Sequence, residues 1–123
     1  MPKTILIVED EPISRKAIAT FLREEGYAVE EAKDGAEALD LLDTFHFDLV
    51  VSDLRMPHVD GMAVVGHLRS ISPKIPFIIL TAYPYDAGGV SKMPRALLLK
   101  KPIGLKDLES KIRLLLGVDE FSG

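Results

Sequence analysis

The sequence predicts an α/β fold in which a five-stranded parallel sheet is doubly wound, with helices covering both of its faces. Two observations support this prediction: apolar runs alternate with segments of helical spacing five times along the chain, and most of the runs are apolar at every position. Strands of that composition are buried on both faces, as strands are in a parallel sheet between two layers of helices. Right-handed crossovers then lead to an expected strand order of 2-1-3-4-5, a (βα)5 arrangement.

Five strands are expected, and each ends at polar or proline residues. Their predicted ranges are 4–8, 27–31, 47–52, 76–80 and 96–99. The second range alternates apolar and polar residues, which indicates one face that is more exposed to water. The third range is the central strand, and Pro57 prevents it from continuing far beyond Asp53.

The first two helices are predicted from their caps and their apolar spacing. The first begins at Pro12, which suits an initial helical turn, and ends at Gly26. The second has Asp34 as its N-cap, with Glu37 completing a capping box, and runs to about Thr44.

The remaining helices differ in how clearly they are indicated. Apolar residues at helical spacing predict a third helix, marked by Val64, Val65, Leu68 and Ile71 and ending near Ser72-Pro73. They also predict a last helix over 105–115 that Gly117 ends. Between the fourth and fifth strands, prolines and glycines crowd residues 84–94. The fourth helix is therefore expected to be short or irregular.

The composition indicates one globular domain. The 123 residues are 47% hydrophobic and 28% charged, enough for one sizeable core, so residues 1–123 are expected to form a single domain with a core at 3–117 and a frayed tail at 118–123. The net charge of −4 argues against a nucleic-acid partner. The chain has no cysteine, which excludes disulfides and thiol-ligated metals, and no apolar stretch long enough for a signal peptide or a membrane span. A cytoplasmic protein is expected.

Polar residues follow four of the predicted strands. The first strand leads into Glu9 and Asp10, the third into Asp53, the fourth into Thr81 and the fifth into Lys101. Ligands bind at the carboxyl ends of the strands in open α/β sheets, and strands 1 and 3 are neighbours in the expected order. Three carboxylates from distant parts of the chain should therefore meet at one edge of the sheet.

Three neighbouring carboxylates repel one another, which favours either protonation or a divalent cation. Oxygen ligands select a hard ion such as Mg²⁺, and a bound Mg²⁺ attracts phosphate. With Thr81 as a hydroxyl donor and Lys101 as a second positive group, the pattern predicts a phosphoryl-transfer site. Taken singly, the acid pair could be a helix cap, Thr81 a strand end and Lys101 a surface charge. Those explanations leave the coincidence of all four strand ends unexplained.

Each residue of the predicted site has an expected role. Asp53 is the expected nucleophile, which forms an aspartyl phosphate. Asp10 and Asp53 are expected to bind Mg²⁺ directly, together with the backbone carbonyl of Arg55, and Glu9 to reach the ion through water or more flexibly. Lys101 should pair with Asp53 and later with a phosphoryl oxygen. Thr81 should move to donate a hydrogen bond to another phosphoryl oxygen.

Four motifs closely resemble those of the receiver domains of two-component response regulators, also called CheY-like domains. They are Val8-Glu9-Asp10-Glu11-Pro12, Ser52-Asp53-Leu54-Arg55-Met56-Pro57 with Asp60-Gly61, Leu80-Thr81-Ala82 and Lys101-Pro102. The resemblance implies a flavodoxin-like fold and transfer of a phosphoryl group to Asp53 from a sensor histidine kinase or a phosphotransfer protein, with Mg²⁺ or Mn²⁺. It also implies a signalling switch rather than a turnover enzyme, one that catalyses only its own phosphorylation and dephosphorylation. The surface of the fourth helix, fifth strand and last helix would shift to bind a downstream partner.

The sequence departs from the family at a few positions. Glu9 replaces a commoner aspartate, which should preserve metal binding. Leu98 stands where many members have a Tyr or Phe that rotates inward when the threonine moves. By the same resemblance, Arg55 and Tyr83 would flank the phosphoryl group and modulate its hydrolysis.

Three other readings remain open. An aspartyl-phosphate hydrolase would need a second acid two residues after the nucleophile, where this chain has Arg55. A flavodoxin-like cofactor carrier would need a phosphate-binding loop after the first strand, where this chain has an acidic segment. A receiver that signals without phosphate is compatible with Leu98 and with the unusual fourth helix.

The resemblance also leads to expectations about oligomeric state and partner binding. We expect a monomer, or a weak dimer that depends on phosphorylation, which acts either as a complete single-domain regulator or as part of a longer protein. By resemblance, the choice of partner depends on the first helix near Ser14, Arg15 and Ala17.

Overall fold

A five-stranded parallel sheet forms the centre of the molecule. The computed structural model describes residues 2–53, 61–71, 74–82, 93 and 95–117, and every structural statement refers to these. The strands are β1 (Thr4–Val8), β2 (Ala28–Ala32), β3 (Leu49–Asp53), β4 (Phe77–Thr81) and β5 (Ala96–Lys100). They lie in the order β2-β1-β3-β4-β5, and every neighbouring pair is parallel. The predicted fold class and strand order are confirmed.

The described residues include four helices, of which three connect consecutive strands and the last follows β5. They are α1 (Pro12–Glu24), α2 (Gly35–Thr44), α3 (Gly61–Ile71) and α4 (Leu105–Leu116). Asp34 caps α2 as predicted, because its side chain accepts a 2.8 Å hydrogen bond from the Glu37 amide. The Glu37 carboxylate accepts from the Lys33 amide, one residue earlier than a standard capping box requires. Gly117 ends α4 with φ at 71°, a left-handed conformation that glycine adopts without strain.

The helices form two layers, and the sheet between them has a separate apolar core on each face. One core joins α2 and α3 to the sheet and includes Phe47, Val50, Val64, Leu68, Phe77 and Ile79. The other joins α1 and α4 to the sheet and includes Ile5, Ile18, Leu22, Val51, Ile78 and Ile112. Successive residues of a strand point to opposite faces, so each central strand supplies side chains to both cores. This double burial explains why the strands are apolar at nearly every position.

The observed boundaries differ slightly from the predicted ones. β2 begins at Ala28, because the chain turns through Gly26 at φ 101° and the Tyr27 amide still bonds to the carbonyl of Leu22 in α1. Ile13 and Ile71 belong to the apolar pattern that predicted helices, yet both are exposed, Ile13 at 79%. Helical spacing identifies the helix, whereas burial depends on where the neighbouring layer ends.

Some predictions lie outside the described residues. These are the short or irregular fourth helix in 84–94, of which only residue 93 is described, the end of the third helix near 72–73 and the frayed tail at 118–123. In the part of the chain that the structure describes, helices fall short of the length and apolar character needed to cross a bilayer.

Candidate functional site

The sheet order brings the three predicted carboxylates together. β1 pairs directly with β3, with Val8 opposite Ser52, so the residues that follow β1 lie beside the end of β3. Glu9 and Asp10 follow β1, and Asp53 is the last residue of β3. One carboxylate oxygen from each of these three residues lies within 4.8 Å of the other two. The predicted convergence is confirmed.

Lys101 reaches this cluster from the loop after β5. Its Nζ donates to Asp53 Oδ2 at 2.8 Å and to Glu9 Oε1 at 2.9 Å. Burial alone would lower the pKa of Lys101, but its hydrogen bonds and charge interactions with the two carboxylates raise it. The ammonium therefore stays charged at neutral pH and bridges two of the three acids. The predicted pairing of Lys101 with Asp53 is confirmed.

Thr81 and Lys101 are also joined through the backbone. The Lys101 amide donates to the carbonyl of Thr81 at 2.6 Å, and Thr81 itself is buried at the end of β4. The peptide bond between Lys101 and Pro102 is cis. The two residues expected to contact different phosphoryl oxygens are thus held next to each other.

Glu9 is held more firmly than its expected flexible reach suggests. It is only 4% exposed, and its amide donates to the Ala32 carbonyl at 3.0 Å. Its Oε2 accepts from the Glu11 amide at 3.1 Å, while Oε1 accepts from Lys101. Burial raises the pKa of Glu9, and the hydrogen bonds from Lys101 and from the Glu11 amide oppose that rise. Both carboxylate oxygens of Glu9 are therefore engaged within the protein.

Asp10 and Asp53 are more open to solvent than Glu9. Asp10 is exposed at the mouth of the cluster, and Asp53 is half-buried beneath it. This gradient of burial places one acid deep, one at intermediate depth and one at the surface. An incoming ion or phosphoryl group would meet Asp10 and Asp53 from the solvent side.

The donor set fits a hard divalent cation. It consists of carboxylate oxygens, and the three acids outnumber the one ammonium that faces them among the described residues. Negative charge therefore remains in excess after Lys101 is counted. Mg²⁺ and Mn²⁺ prefer such oxygen ligands, and Mg²⁺ usually takes a few carboxylates and completes its shell with water.

Three further residues were expected to influence the site. Arg55 and Tyr83 lie outside the described residues, so their expected modulating roles stay predictions. Leu98 lies in β5, half-buried, and packs against the core on the α2 and α3 face of the sheet.

Sequence reasoning missed one contact at the site. The Arg15 guanidinium in α1 donates from Nη1 to the backbone carbonyl of Glu9 at 3.0 Å. The sequence places Arg15 only on a partner surface of the first helix, because an arginine on a helix has many possible partners. The helical pattern of α1 predicts on which face of the helix Arg15 lies, but it does not predict that the side chain reaches the Glu9 carbonyl.

Comparison with known proteins agrees with this geometry. The profile of the response regulator receiver domain family matches residues 5–113. The response regulator MprA of Mycobacterium sp. (strain KMS) is 38% identical over 94% of this chain and 51% of its own length. The transcriptional regulatory protein GlrR of Escherichia coli (strain K12) is 43% identical over 67% of this chain and 18% of its own length. The chain thus spans about half the length of the mycobacterial relative and less of the other.

Solved structures show the same fold. A CheY-like response regulator receiver domain protein from Methanospirillum hungatei JF-1 matches with a TM-score of 0.89 and 27% identity over 100% of both chains. The response regulator protein TrrA from Thermotoga maritima, solved in complex with Mg²⁺-BeF, matches with a TM-score of 0.82 and 34% identity over 92% of this chain and 98% of its own. With the carboxylate cluster and the family profile, these matches show that the chain belongs to the response regulator receiver domains of two-component systems.

Proposed function

We propose that the chain accepts a phosphoryl group on Asp53, with Mg²⁺ or Mn²⁺ held by Asp10 and Asp53, and switches its surface for partner binding. The observation that supports this most directly is the bridge formed by Lys101, whose Nζ contacts both Asp53 and Glu9. A cation so close to Asp53 offsets the charge of an approaching phosphoryl group. The structure of TrrA with Mg²⁺-BeF indicates that a similar fold accommodates such a metal complex.

The proposed reaction is a displacement at phosphorus. An oxygen of Asp53 forms a bond to phosphorus while the bond between phosphorus and the donor, a phosphohistidine nitrogen, breaks. The electron pair of the broken bond stays on the imidazole nitrogen. The imidazole is protonated as it leaves or takes a proton from water. A metal held by Asp10 and Asp53 would neutralise charge on the transferred group, and Lys101 and Thr81 would donate hydrogen bonds to its oxygens.

The proposed role is that of a switch rather than a turnover enzyme. The phosphoryl group stays on Asp53 until water hydrolyses it. The phosphorylated chain itself is therefore the state that a partner would recognise. Thr81 is buried at the end of β4, and its carbonyl accepts from the amide of Lys101. Movement of Thr81 toward a phosphoryl oxygen would therefore be transmitted to β5 and the loop that follows it.

The proposed phosphodonor is a sensor histidine kinase or a phosphotransfer protein. An open apolar cavity of about 470 Å³ lies beside Lys101, between α1 and the segment before α4. Ser14 and Ala17 line it from α1, and Ile103 and Leu105 from the other side. This cavity places an apolar surface next to the phosphoryl-accepting edge, where a donor protein would have to approach. The proposed downstream partner is a second protein that binds the switched surface.

The proposal is tested by incubating the full chain with acetyl phosphate and Mg²⁺ and measuring its intact mass. We expect the mass to rise by one phosphoryl group, and the gain to disappear with a metal chelator and in Asp53→Asn. Asp40→Asn, an exposed acid in α2, is the matched control and should be phosphorylated normally.

Two results would contradict the proposal. Phosphorylation that persists in Asp53→Asn would place the acceptor elsewhere. Failure of the wild-type chain to gain phosphate while calorimetry shows Mg²⁺ bound would favour a receiver that signals without phosphate. Leu98, which replaces the usual aromatic residue, is the observation that makes this second reading worth testing.

A further inference from the structure

Arg15 connects the acidic loop to a neighbouring strand. Its Nη1 donates to the Glu9 carbonyl at 3.0 Å, and its Nε donates to Glu31 Oε1 at 3.2 Å. Glu31 belongs to β2, which lies beside β1 in the sheet. The guanidinium is thus fixed at two points, one on the strand and one on the loop that carries the acid pair.

Glu31 is well suited to hold this guanidinium. Its side chain is 12% exposed and contacts Lys16 and Arg23 as well as Arg15, each at 3.2 Å. Burial alone would raise the pKa of Glu31, but these cations lower it, so the carboxylate remains ionised at neutral pH. The Arg15 side chain is itself only 15% exposed, which limits the other positions available to its head group.

The carbonyl that Arg15 holds lies in the peptide plane between Glu9 and Asp10. The preceding plane is fixed by the hydrogen bond from the Glu9 amide to the Ala32 carbonyl. Because a peptide unit is rigid, fixing the Glu9 carbonyl also fixes the direction of the Asp10 amide and the position of the Asp10 Cα. Asp10 is the exposed acid of the cluster, and the position of its Cα limits where its carboxylate can lie.

We propose that Arg15, anchored by Glu31, is a positioning residue that orients the Glu9–Asp10 peptide so that Asp10 and Asp53 can share one divalent cation. This inference rests on the proposed metal-dependent function of the same site. Groups that orient metal ligands typically change metal affinity about 10- to 100-fold when they are removed.

The charge of Arg15 has the opposite expected effect. The guanidinium contacts the loop that carries Glu9 and Asp10, and its positive charge there repels a divalent cation. Its removal should therefore tighten Mg²⁺ binding if charge alone mattered. If orientation matters more, its removal should weaken binding. The direction of the change therefore separates a positioning residue from a simple surface cation.

The test is the dissociation constant for Mg²⁺ of the metal-free full chain, measured by calorimetry. We expect Arg15→Gln to weaken binding about tenfold. Lys16→Gln is the matched control, because Lys16 contacts Glu31 without contacting Glu9. It should bind Mg²⁺ as tightly as the wild type, or slightly more tightly. Arg15→Lys keeps the charge but cannot contact both acceptors with the same geometry, so an intermediate loss is expected.

A second measurement, amide hydrogen exchange, reports on the loop after β1 and requires neither metal nor phosphorylation. The Glu11 amide donates to Glu9 Oε2, so its hydrogen exchange reports the order of the loop. Exchange at Glu11 should accelerate in Arg15→Gln, while exchange at Ala28, which donates to Lys3 at the other end of β2, should keep its rate.

The outcomes separate this inference from the proposed function. Wild-type binding of Mg²⁺ with unchanged or tighter binding in Arg15→Gln would overturn the role of Arg15 alone. Failure of the wild type to bind Mg²⁺ at Asp10 and Asp53 would overturn both. If Arg15→Gln does not fold, Arg15→Lys decides, and an affinity equal to or tighter than that of the wild type would overturn the inference.

Discussion

Lys101 controls the balance of charge at the carboxylate cluster, because its ammonium contacts two of the three acids. Without that ammonium, Glu9 and Asp53 would lose a shared cation, and repulsion among the three carboxylates would increase. Burial alone would lower the pKa of Lys101, and the two acids raise it above its ordinary value of 10.5. The stability that Lys101 contributes is therefore present below pH 10.5 and is lost only as the pH rises through the raised value.

We predict that Lys101→Gln makes the stability of the chain depend on magnesium. In the presence of a chelator, the free energy of unfolding should fall by about 1–2 kcal/mol, because two carboxylates lose a charged partner. Saturating Mg²⁺ should restore more stability to the variant than to the wild type, since the ion replaces the lost positive charge. Urea denaturation with and without Mg²⁺ measures both effects.

Lys100→Gln is the matched control, because Lys100 is the exposed neighbour at the end of β5. It should leave both the free energy of unfolding and its dependence on Mg²⁺ near the wild-type values. An equal loss in the two variants would show that net charge, rather than the bridge, sets the stability of this edge.

At the scale of the elements, the residues that end strands and helices were the most predictable. Pro12, Asp34 and Gly117 mark helix ends in the sequence and do so in the structure, because capping depends on local backbone geometry. Convergence of Glu9, Asp10 and Asp53 was equally predictable, since parallel strands end at the same edge.

Contacts that depend on side-chain reach were not predictable. The bond from Arg15 to the Glu9 carbonyl requires a particular rotamer and a particular loop path. Tyr27 and Glu109 are separated by 82 positions along the chain and meet only after α4 packs beside α1. Periodicity does not contain information of this kind.

We predict that Asp34→Ala destabilises the chain through α2. Asp34 accepts the Glu37 amide at 2.8 Å, and the loss of such an N-cap typically costs about 1 kcal/mol. Asp34→Asn preserves an acceptor of the same size and should remain close to the wild type. Chemical denaturation of both variants measures the difference, and equal stability of all three proteins would contradict the assignment of Asp34 as the cap.

At the scale of the whole molecule, a polar contact joins the segment between α1 and β2 to α4. Tyr27 lies just beyond α1, and its hydroxyl donates to Glu109 of α4 at 2.8 Å. Glu109 is buried and also pairs with Arg113 at 3.0 Å, one turn further along α4. The contact therefore links the start of β2 to the last helix.

We predict that Tyr27 titrates at unusually high pH. Burial and the hydrogen bond to Glu109 raise the pKa of Tyr27 from 10.0 to about 12. The stability linked to this shift is present below pH 10.0 and is lost as the pH rises through about 12. An ultraviolet titration of tyrosinate should show a late step that Tyr27→Phe removes, and the variant should lose about 1 kcal/mol of stability at neutral pH. A late step that survives in the variant would assign it to another tyrosine.

Among the residues that the structure describes, the two apolar cores on opposite faces of the sheet share no side chain. The sheet consequently separates the two cores, and only the strands contribute side chains to both of them. During evolution, the α1 and α4 layer could change its composition without forcing the α2 and α3 layer to repack. Related proteins could therefore change the partners that they bind while the carboxylate cluster at the ends of the strands stays the same.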